Sequence, residues 1–453
     1  MKKVNITNIS LSSKYTDKQK MMTDLAKENF CINEALKDCD PKLVNCADSM
    51  VLSAIDAKVK TNQSLLLEEA FSGMLLVLAA TNNLIRARLF PKMDFSEAIA
   101  KGVGFLQLMA TKEAIQGLSP EEIAGMVAAA NLDLVFRPKV SQVAETCGMG
   151  GDRGWSTKRV KTISASTLSA LVLASLDIPT FKHGSYGNTT KVGSTDVPIN
   201  FGAQACHHAA DTILRLFAET NFWFSDAHSV KTIHYLSHLL MVETVNHIIG
   251  PMTVPIAKET ELFKVMGVNH HVNPETIARA YTILHERKFI NLGSAAIVCG
   301  LDELPQGKEY NDPRWVAKHS FLDEVSPRAT LVSLAKSDRF LGNFVLTHED
   351  FGADPLDEET LKIQNTIPTL MTANQKALQG LDGNLSSYLA QNAALGLLVS
   401  KGLNEASPLV RIPQYYRECL ETIESGKAFQ KLQQYVEVSG GNFRNWLKRK
   451  EKA

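Results

Sequence analysis

At 453 residues the chain exceeds a typical single core and suits two domains or one large elaborated one. Lys+Arg and Asp+Glu each number 48, so the formal net charge is zero, which argues against a protein held to nucleic acid by bulk positive charge. Hydrophobic residues make up 45% and charged residues 21%, an ordinary globular balance, and no apolar run reaches transmembrane length.

The first 62 residues are polar, weakly periodic, and read as an extension. Their opening, MKKVNITNIS, has no apolar run behind its lysines and so is not a signal peptide. Seven cysteines, odd in number and without a CxxC pair, point to a reduced, cytoplasmic protein. From 63 to 142 the pattern is helical. SLLLEEAFSGMLLVLAATNNLIRARLF and DFSEAIAKGVGFLQLMATKEAI carry apolar residues at helical spacing, with Asp94 or Ser96 placed to cap the second. In LSPEEIAGMVAAANLDLV, Ser119 is the N-cap, Pro120 opens the first turn, and Glu121 and Glu122 face the positive helix end.

Near residue 143 the pattern changes. A glycine loop leads into the helix-like STLSALVLASL and the strand-like IPTFKHG; FINLGSAAIVCG and FLGNFVLTHEDFG read as strands, the second in an edge hairpin. Helical stretches are expected over 207–248, 273–288, 356–380 and 384–402. Helices alternating with short apolar runs predict an α/β domain over 143–440 with a mostly parallel sheet, ahead of a basic tail at 441–453 that reads as a solvated helix end.

The stretch TCGMGGDRGW, from Thr146 to Trp155, holds four glycines and one carboxylate. Backbone N–H groups in such a turn before a helix form an anion-binding nest, although many glycine loops are only turns. The spacing fits neither GxGxxG nor a Walker loop. Asp152 in the nest would repel a bare phosphate, and makes sense if the ligand also brings hydroxyls or a cation. Ser164, Ser166 and Thr167 then mark a helix start, and KHGSYGNTTKVGSTDV supplies Lys182, Lys191 and many hydroxyls and amides with almost no apolar residue.

Over about 65–435 the chain resembles the anthranilate phosphoribosyltransferase family. GMGGD is similar to the family's GTGGD, SASTLSALV to its NIST-A-ALV segment, KHGSYGNTTKVGSTDV to its KHGN…S-K-GSADV loop, GLSPEEIAGMVAAA to the helix before the glycine loop, and GPMTVP (Gly250 to Pro255) to GPLTNP. The resemblance implies a small N-terminal helical domain, with helices from about 205–248 packed on it, beside a larger α/β domain, and an active site in the cleft between them. It implies a donor, 5-phosphoribosyl-1-pyrophosphate, bound with Mg2+. Gly148, Gly150, Gly151 and Asp152 would wrap the pyrophosphate and ribose; Ser164, Ser166, Thr167, Lys182 and Ser194 would hold the donor, with Ser166 also close to the metal. About six residues within RGWSTKRVK are extra relative to the family, so its asparagine position falls on Ser164 or, on another alignment, Thr162.

The family's adjacent Asp-Glu metal pair has two candidates here, Asp302–Glu303 and Asp323–Glu324. FLDEVSP…FVLTHEDFG tracks the family without a gap, so Asp323 and Glu324 are taken and 301–320 is read as an insertion. The acceptor side departs from the family. Ser185 and Tyr186 follow KHG in place of asparagine, and no arginine lies between Arg215 and Arg279, where the family holds anthranilate's carboxylate. Nine of twelve histidines lie between 207 and 285. His234 and His238, four apart on a helix, could be a metal pair, but read better as capping or core residues or as part of a polar pocket with His183, Gly184, Ser185 and Tyr186. The expectation is a magnesium-dependent phosphoribosyltransferase with a non-anthranilate, aromatic or heterocyclic acceptor, homodimeric through its N-terminal helices, without nucleic-acid or membrane partners. A nucleoside phosphorylase, or a non-catalytic relative that binds nucleic acid or ligand, stays open beside it.

Overall fold

The computed structural model describes residues 36–37, 39–134, 137–151, 153–155, 160–186, 192–205, 210–227, 231–240 and 242–443. Its strands are β1 (Gln142–Gly148), β2 (Val160–Lys161), β3 (Thr180–Gly184), β4 (Phe222–Asp226), β5 (Glu261–Gly267), β6 (Asn291–Leu301), β7 (Ser320–Leu322), β8 (Ala329–Lys336), β9 (Arg339–Leu346) and β10 (Ile363–Gln364).

The N-terminal third is helical. Asp94 caps the helix Phe95–Gln116, accepting the Glu97 N–H at 2.8 Å. Ser119 and Glu122 form a reciprocal capping box at the start of Pro120–Ala130. Helix Leu67–Thr81 is buried almost all round against Val51–Lys60, Phe95–Gln116 and Pro120–Ala130. Its apolar stretch therefore belongs to the core of this chain.

The main sheet runs β4-β3-β1-β5-β6-β8-β9, with β7 beside β6. The run from β4 to β6 is parallel, and the β8–β9 hairpin closes the edge antiparallel. The mostly parallel α/β class is as expected. Helix Ala165–Ser175 connects β1 to β3, and Pro274–Glu286 connects β5 to β6. Each steps outward from the β1–β5 pair in the opposite direction, so right-handed crossovers place them on opposite faces. The strand order reverses between β1 and β5, and the crevice beyond their carboxyl ends is where open α/β sheets take ligands.

Two expectations are corrected. The supposed helical stretch 207–248 contains helix Ala210–Thr220, then the buried strand β4, and further on helices His234–Leu240 and Asn246–Met252. Periodicity alone could not separate Phe222-Trp223-Phe224 from a buried helix segment. Asn221, at φ +55, was the available stop signal; Asp177 at +61 and Lys288 at +60 end the preceding and following crossover helices in the same left-handed way. The stretch 356–380 likewise breaks, into Glu358–Leu361, β10 and Ile367–Leu378. Helix Ala210–Thr220 packs on Lys427–Val438, whereas His234–Leu240 packs on the N-terminal helices. Among the described residues no helix is long and apolar enough to cross a membrane.

Candidate active site

Both strands at the crevice end in glycine, and the reason is Asp323. A Cβ on Gly148 would lie 2.2 Å from Asp323 Oδ2, and one on Gly267 only 1.5 Å from the Asp323 carbonyl oxygen. The segment after β7 is thus laid directly on the ends of β1 and β5. Gly150 N–H donates to Asp323 Oδ2 at 2.7 Å, Met149 N–H to the Gly267 carbonyl at 3.0 Å, and Asn269 Nδ2 to the Gly150 carbonyl at 2.7 Å. Gly150 and Gly151 take φ of +72° and +64°, a conformation that disfavours a side chain. Because backbone cannot yield as a side-chain tip can, Gly267→Ala is expected to cost at least about 3 kcal/mol of stability, read as a lowered denaturant midpoint. A cost under about 1 kcal/mol would show that Asp323 is not seated there.

The start of helix Ala165–Ser175 faces the same crevice. Thr146 Oγ1 donates to the Ser166 carbonyl at 2.6 Å, tying the end of β1 to the first helical turn. Asn374 holds Ser164 twice, accepting its N–H at 2.9 Å and donating to its Oγ at 3.1 Å. Thr162 donates its hydroxyl to Glu324 Oε1, so both alternatives for the family's asparagine position lie at the site. Asn392 Oδ1 accepts the Val325 N–H at 3.1 Å. Asn269, Asn374 and Asn392 had no role assigned from sequence; their partners lie too far along the chain for spacing to reveal them.

Thr146, Ser166, Ser169, Asp323, Glu324 and Asn392 line one small cavity of about 20 Å³. Burial, reinforced by the Asp323 charge, pushes the Glu324 carboxyl up to about 7. Two adjacent acids and a hydroxyl form a hard-oxygen set of the kind Mg2+ takes, and a cation there would relieve the crowding of negative charge. Asp302 and Glu303 instead reach His319 Nδ1, at 2.8 and 3.3 Å, with exposed carboxylates, and neither lines that cavity. The extra residues after the glycine loop brace this region from outside. Arg153 donates to the Ala317 carbonyl at 3.0 Å, Gly154 N–H to the Phe321 carbonyl at 2.7 Å, and Trp155 Nε1 to Glu358 at 2.7 Å.

Under the crevice lies a buried charge cluster. Glu145 on β1 contacts His183 Nδ1 on β3 and Lys264 Nζ on β5. Lys264 also donates to the Pro251 carbonyl at 2.7 Å. Lys231 lies 3.1 Å from His183 Nε2 and donates to the Gly250 carbonyl and to Thr253. Burial would raise the Glu145 carboxyl, but the His183 and Lys264 charges overcome it and hold Glu145 well below its ordinary range. Burial lowers His183 to about 4 and Lys231 to about 7. A neutral His183 donates from Nδ1 to Glu145 and accepts at Nε2 from Lys231.

Known proteins resemble this chain in sequence and in fold. A model of the glycosyl transferase family α/β domain matches residues 140–311. The anthranilate phosphoribosyltransferase of Ignicoccus hospitalis is 27% identical over 332 residues, covering 71% of this chain and 84% of that one. The enzyme of the same name from Pyrococcus abyssi is 28% identical over 292 residues, 63% and 78% of the two chains. Over most of its length the chain is similar to the anthranilate phosphoribosyltransferases. In fold it superposes on the anthranilate phosphoribosyltransferase of Thermus thermophilus with a TM-score of 0.62 at 22% identity, over 85% of this chain and 99% of that one. The Saccharomyces cerevisiae enzyme, solved in complex with PRPP and Mg, gives 0.64 at 18% identity, over 87% and 99%.

Not every residue expected from the phosphoribosyltransferase motifs lines the crevice. Lys182 is 2% exposed and donates inward to the His183 carbonyl at 2.6 Å, and His183 is 5% exposed within the cluster. Gly184 packs on Ser194, whose Cβ would meet an added Cβ at 2.3 Å, and the Ser185 carbonyl accepts the Thr195 N–H at 3.0 Å. Tyr186 closes the described part of that loop, and the His234 ring lies over Gly250. Asp152, Lys191, His228 and the side chain of His238 lie outside the described residues. Glu145 and Lys264 had no role assigned from sequence; a charged residue inside a buried strand pattern was the signal that could have found them.

Proposed function

We propose that this protein transfers the phosphoribosyl group of 5-phosphoribosyl-1-pyrophosphate to a non-anthranilate, aromatic or heterocyclic acceptor and releases pyrophosphate. The observation that carries the reading is the meeting of Ser166, Asp323 and Glu324 on one cavity beneath the glycine loop. Those three residues would hold Mg2+, which when bound supplies positive charge to the departing pyrophosphate. Loop N–H groups and the buried Thr167 and Ser169 hydroxyls, which have no hydrogen-bond partner among the described residues, are available to phosphate oxygens. An acceptor atom attacks C1 of the ribose, the new bond forms there, and the C1–oxygen bond breaks with its electron pair leaving on pyrophosphate. A nucleophilic acceptor nitrogen needs no strong base from the protein.

The non-anthranilate acceptor is supported by where the cations sit. Lys231 is 1% exposed and already donates to Gly250 and Thr253, and His183 is neutral at pH 7. Neither offers the fixed charge that an aromatic carboxylate requires. A ring compound held by stacking and hydrogen bonds suits such a wall better.

Donor with magnesium is expected to raise the melting temperature, because a ligand bound only by the folded state stabilises it. A pyrophosphate-release screen with the donor is then expected to find activity with a neutral or weakly acidic ring acceptor and none with anthranilate. No thermal shift at millimolar donor with magnesium overturns the transferase reading. Phosphorolysis of a nucleoside in place of donor use moves the protein to the phosphorylases, and efficient turnover of anthranilate overturns the acceptor reading alone.

A homodimer through the N-terminal helices is proposed on the large apolar residues exposed there, Leu66, Phe95 and Ile115. Light scattering is expected to give twice the chain mass of 49.8 kDa; a monomer mass at every concentration removes the dimer.

A further inference from the structure

Besides the residues assigned to magnesium, three side chains from separate elements converge. Glu113 comes from helix Phe95–Gln116, His247 from helix Asn246–Met252, and His271 from the loop after β5. One ligand atom from each lies within 4.8 Å of the others. His247 Nδ1 is 2.6 Å from the Thr244 carbonyl oxygen, which can only accept. That bond puts the proton of a neutral ring on Nδ1 and turns the Nε2 lone pair toward Glu113. Nε2 is 2.9 Å from Glu113 Oε1, yet both atoms are buried and, among the described residues, neither makes a hydrogen bond of acceptable direction.

Burial would lower the His247 imidazole, but Glu113 raises it above its ordinary value. With the ring neutral, two lone-pair atoms face each other at a distance that matches two ligands on one metal. Zinc–ligand bonds of about 2.0–2.1 Å in a tetrahedron set ligand atoms about 3.3 Å apart. The Thr244 carbonyl behind His247 is the outer partner that orients a ligating imidazole. His271 supplies the third ligand, its ring centroid 5.2 Å from that of His247.

We propose that Glu113, His247 and His271 form a site for a borderline divalent cation of the zinc class, with the fourth position left to water or a small ligand. Two imidazoles and one carboxylate are a zinc-type donor set, unlike the all-oxygen magnesium set at Asp323 and Glu324. Because its ligands come from the N-terminal helical layer and from the loop after β5, the cation pins the two together. The loop is also joined to the glycine turn through Asn269, which donates to Gly150. The site goes beyond the transferase reading and does not depend on it.

The test is calorimetric titration of zinc chloride into the chelator-treated full-length protein, with millimolar magnesium present and no donor. One equivalent is expected to bind, Glu113→Gln and His271→Asn each weakening it at least ten-fold, and Cys46→Ser leaving it unchanged. Cobalt bound in place of zinc is expected to give a tetrahedral visible spectrum that both ligand variants lose. Melting of each variant in chelator checks that it is folded; if Glu113→Gln is not, His271→Asn decides. Absence of binding, which leaves only an imidazolium–carboxylate pair, overturns the proposal. So does stoichiometric binding that neither variant weakens.

Discussion

Asp323→Asn is expected to remove the magnesium-dependent part of the donor-induced rise in melting temperature and to lower turnover by about 10²- to 10³-fold. Asparagine keeps an oxygen to accept the Gly150 N–H, so the glycine loop should stay in place while the charge is lost. The variant therefore separates the role of Asp323 in seating the loop from its role toward a cation. Asp302→Asn is the matched control, since Asp302 is 40% exposed and bound to His319. The measurements are thermal shift with and without magnesium, and pyrophosphate release with the acceptor that the screen identifies. If Asp302→Asn removes the magnesium effect and Asp323→Asn does not, the metal pair has been assigned to the wrong residues.

Glu145→Gln is expected to destabilise the fold by about 3–5 kcal/mol at pH 7, because it leaves the buried Lys264 ammonium without its counter-charge. Glu145 is the carboxylate of the cluster, fully buried, with Lys264 on one side and His183 on the other. The pH dependence follows from the lowered carboxyl. The unfolded chain binds that proton more readily than the folded one, so the stabilisation is complete above the ordinary carboxylate range and fades as the pH falls through the folded value. The gap between wild type and Glu145→Gln should thus be full at pH 7 and narrow below about pH 4. Guanidinium midpoints across that range measure it. A gap under about 1 kcal/mol at neutral pH, or one that widens in acid, would show that Glu145 does not carry the cluster's negative charge.

The local signals in the chain were enough for part of this architecture. Asp94 and Ser119 cap the helices they precede because a capping side chain needs only the next three residues. The run Ala165–Ser175, the strand at Thr180 and the β8–β9 edge were visible for the same reason, as was the glycine turn that requires positive φ at Gly150 and Gly151. β4 was not, because three buried aromatics beside an amphipathic helix satisfy either period; what makes them a strand is the parallel register with β3. The ordered match to a known family offered two Asp-Glu pairs and favoured Asp323–Glu324, and the two pairs have different surroundings in the fold. One pair lies in the crevice with Ser166 and the other turns outward to His319. Lys182 and His183 show the converse. The motif marked them as site residues, and the structure places them in a buried network with Glu145, Lys231 and Lys264, drawn from β1, β5 and the segment before helix His234–Leu240. Sequence determined what each short segment could become, since propensity, capping and turn chemistry act over a few residues. Only the tertiary structure decided which charges meet, because burial and Coulomb attraction depend on distances that the order of residues along the chain does not contain.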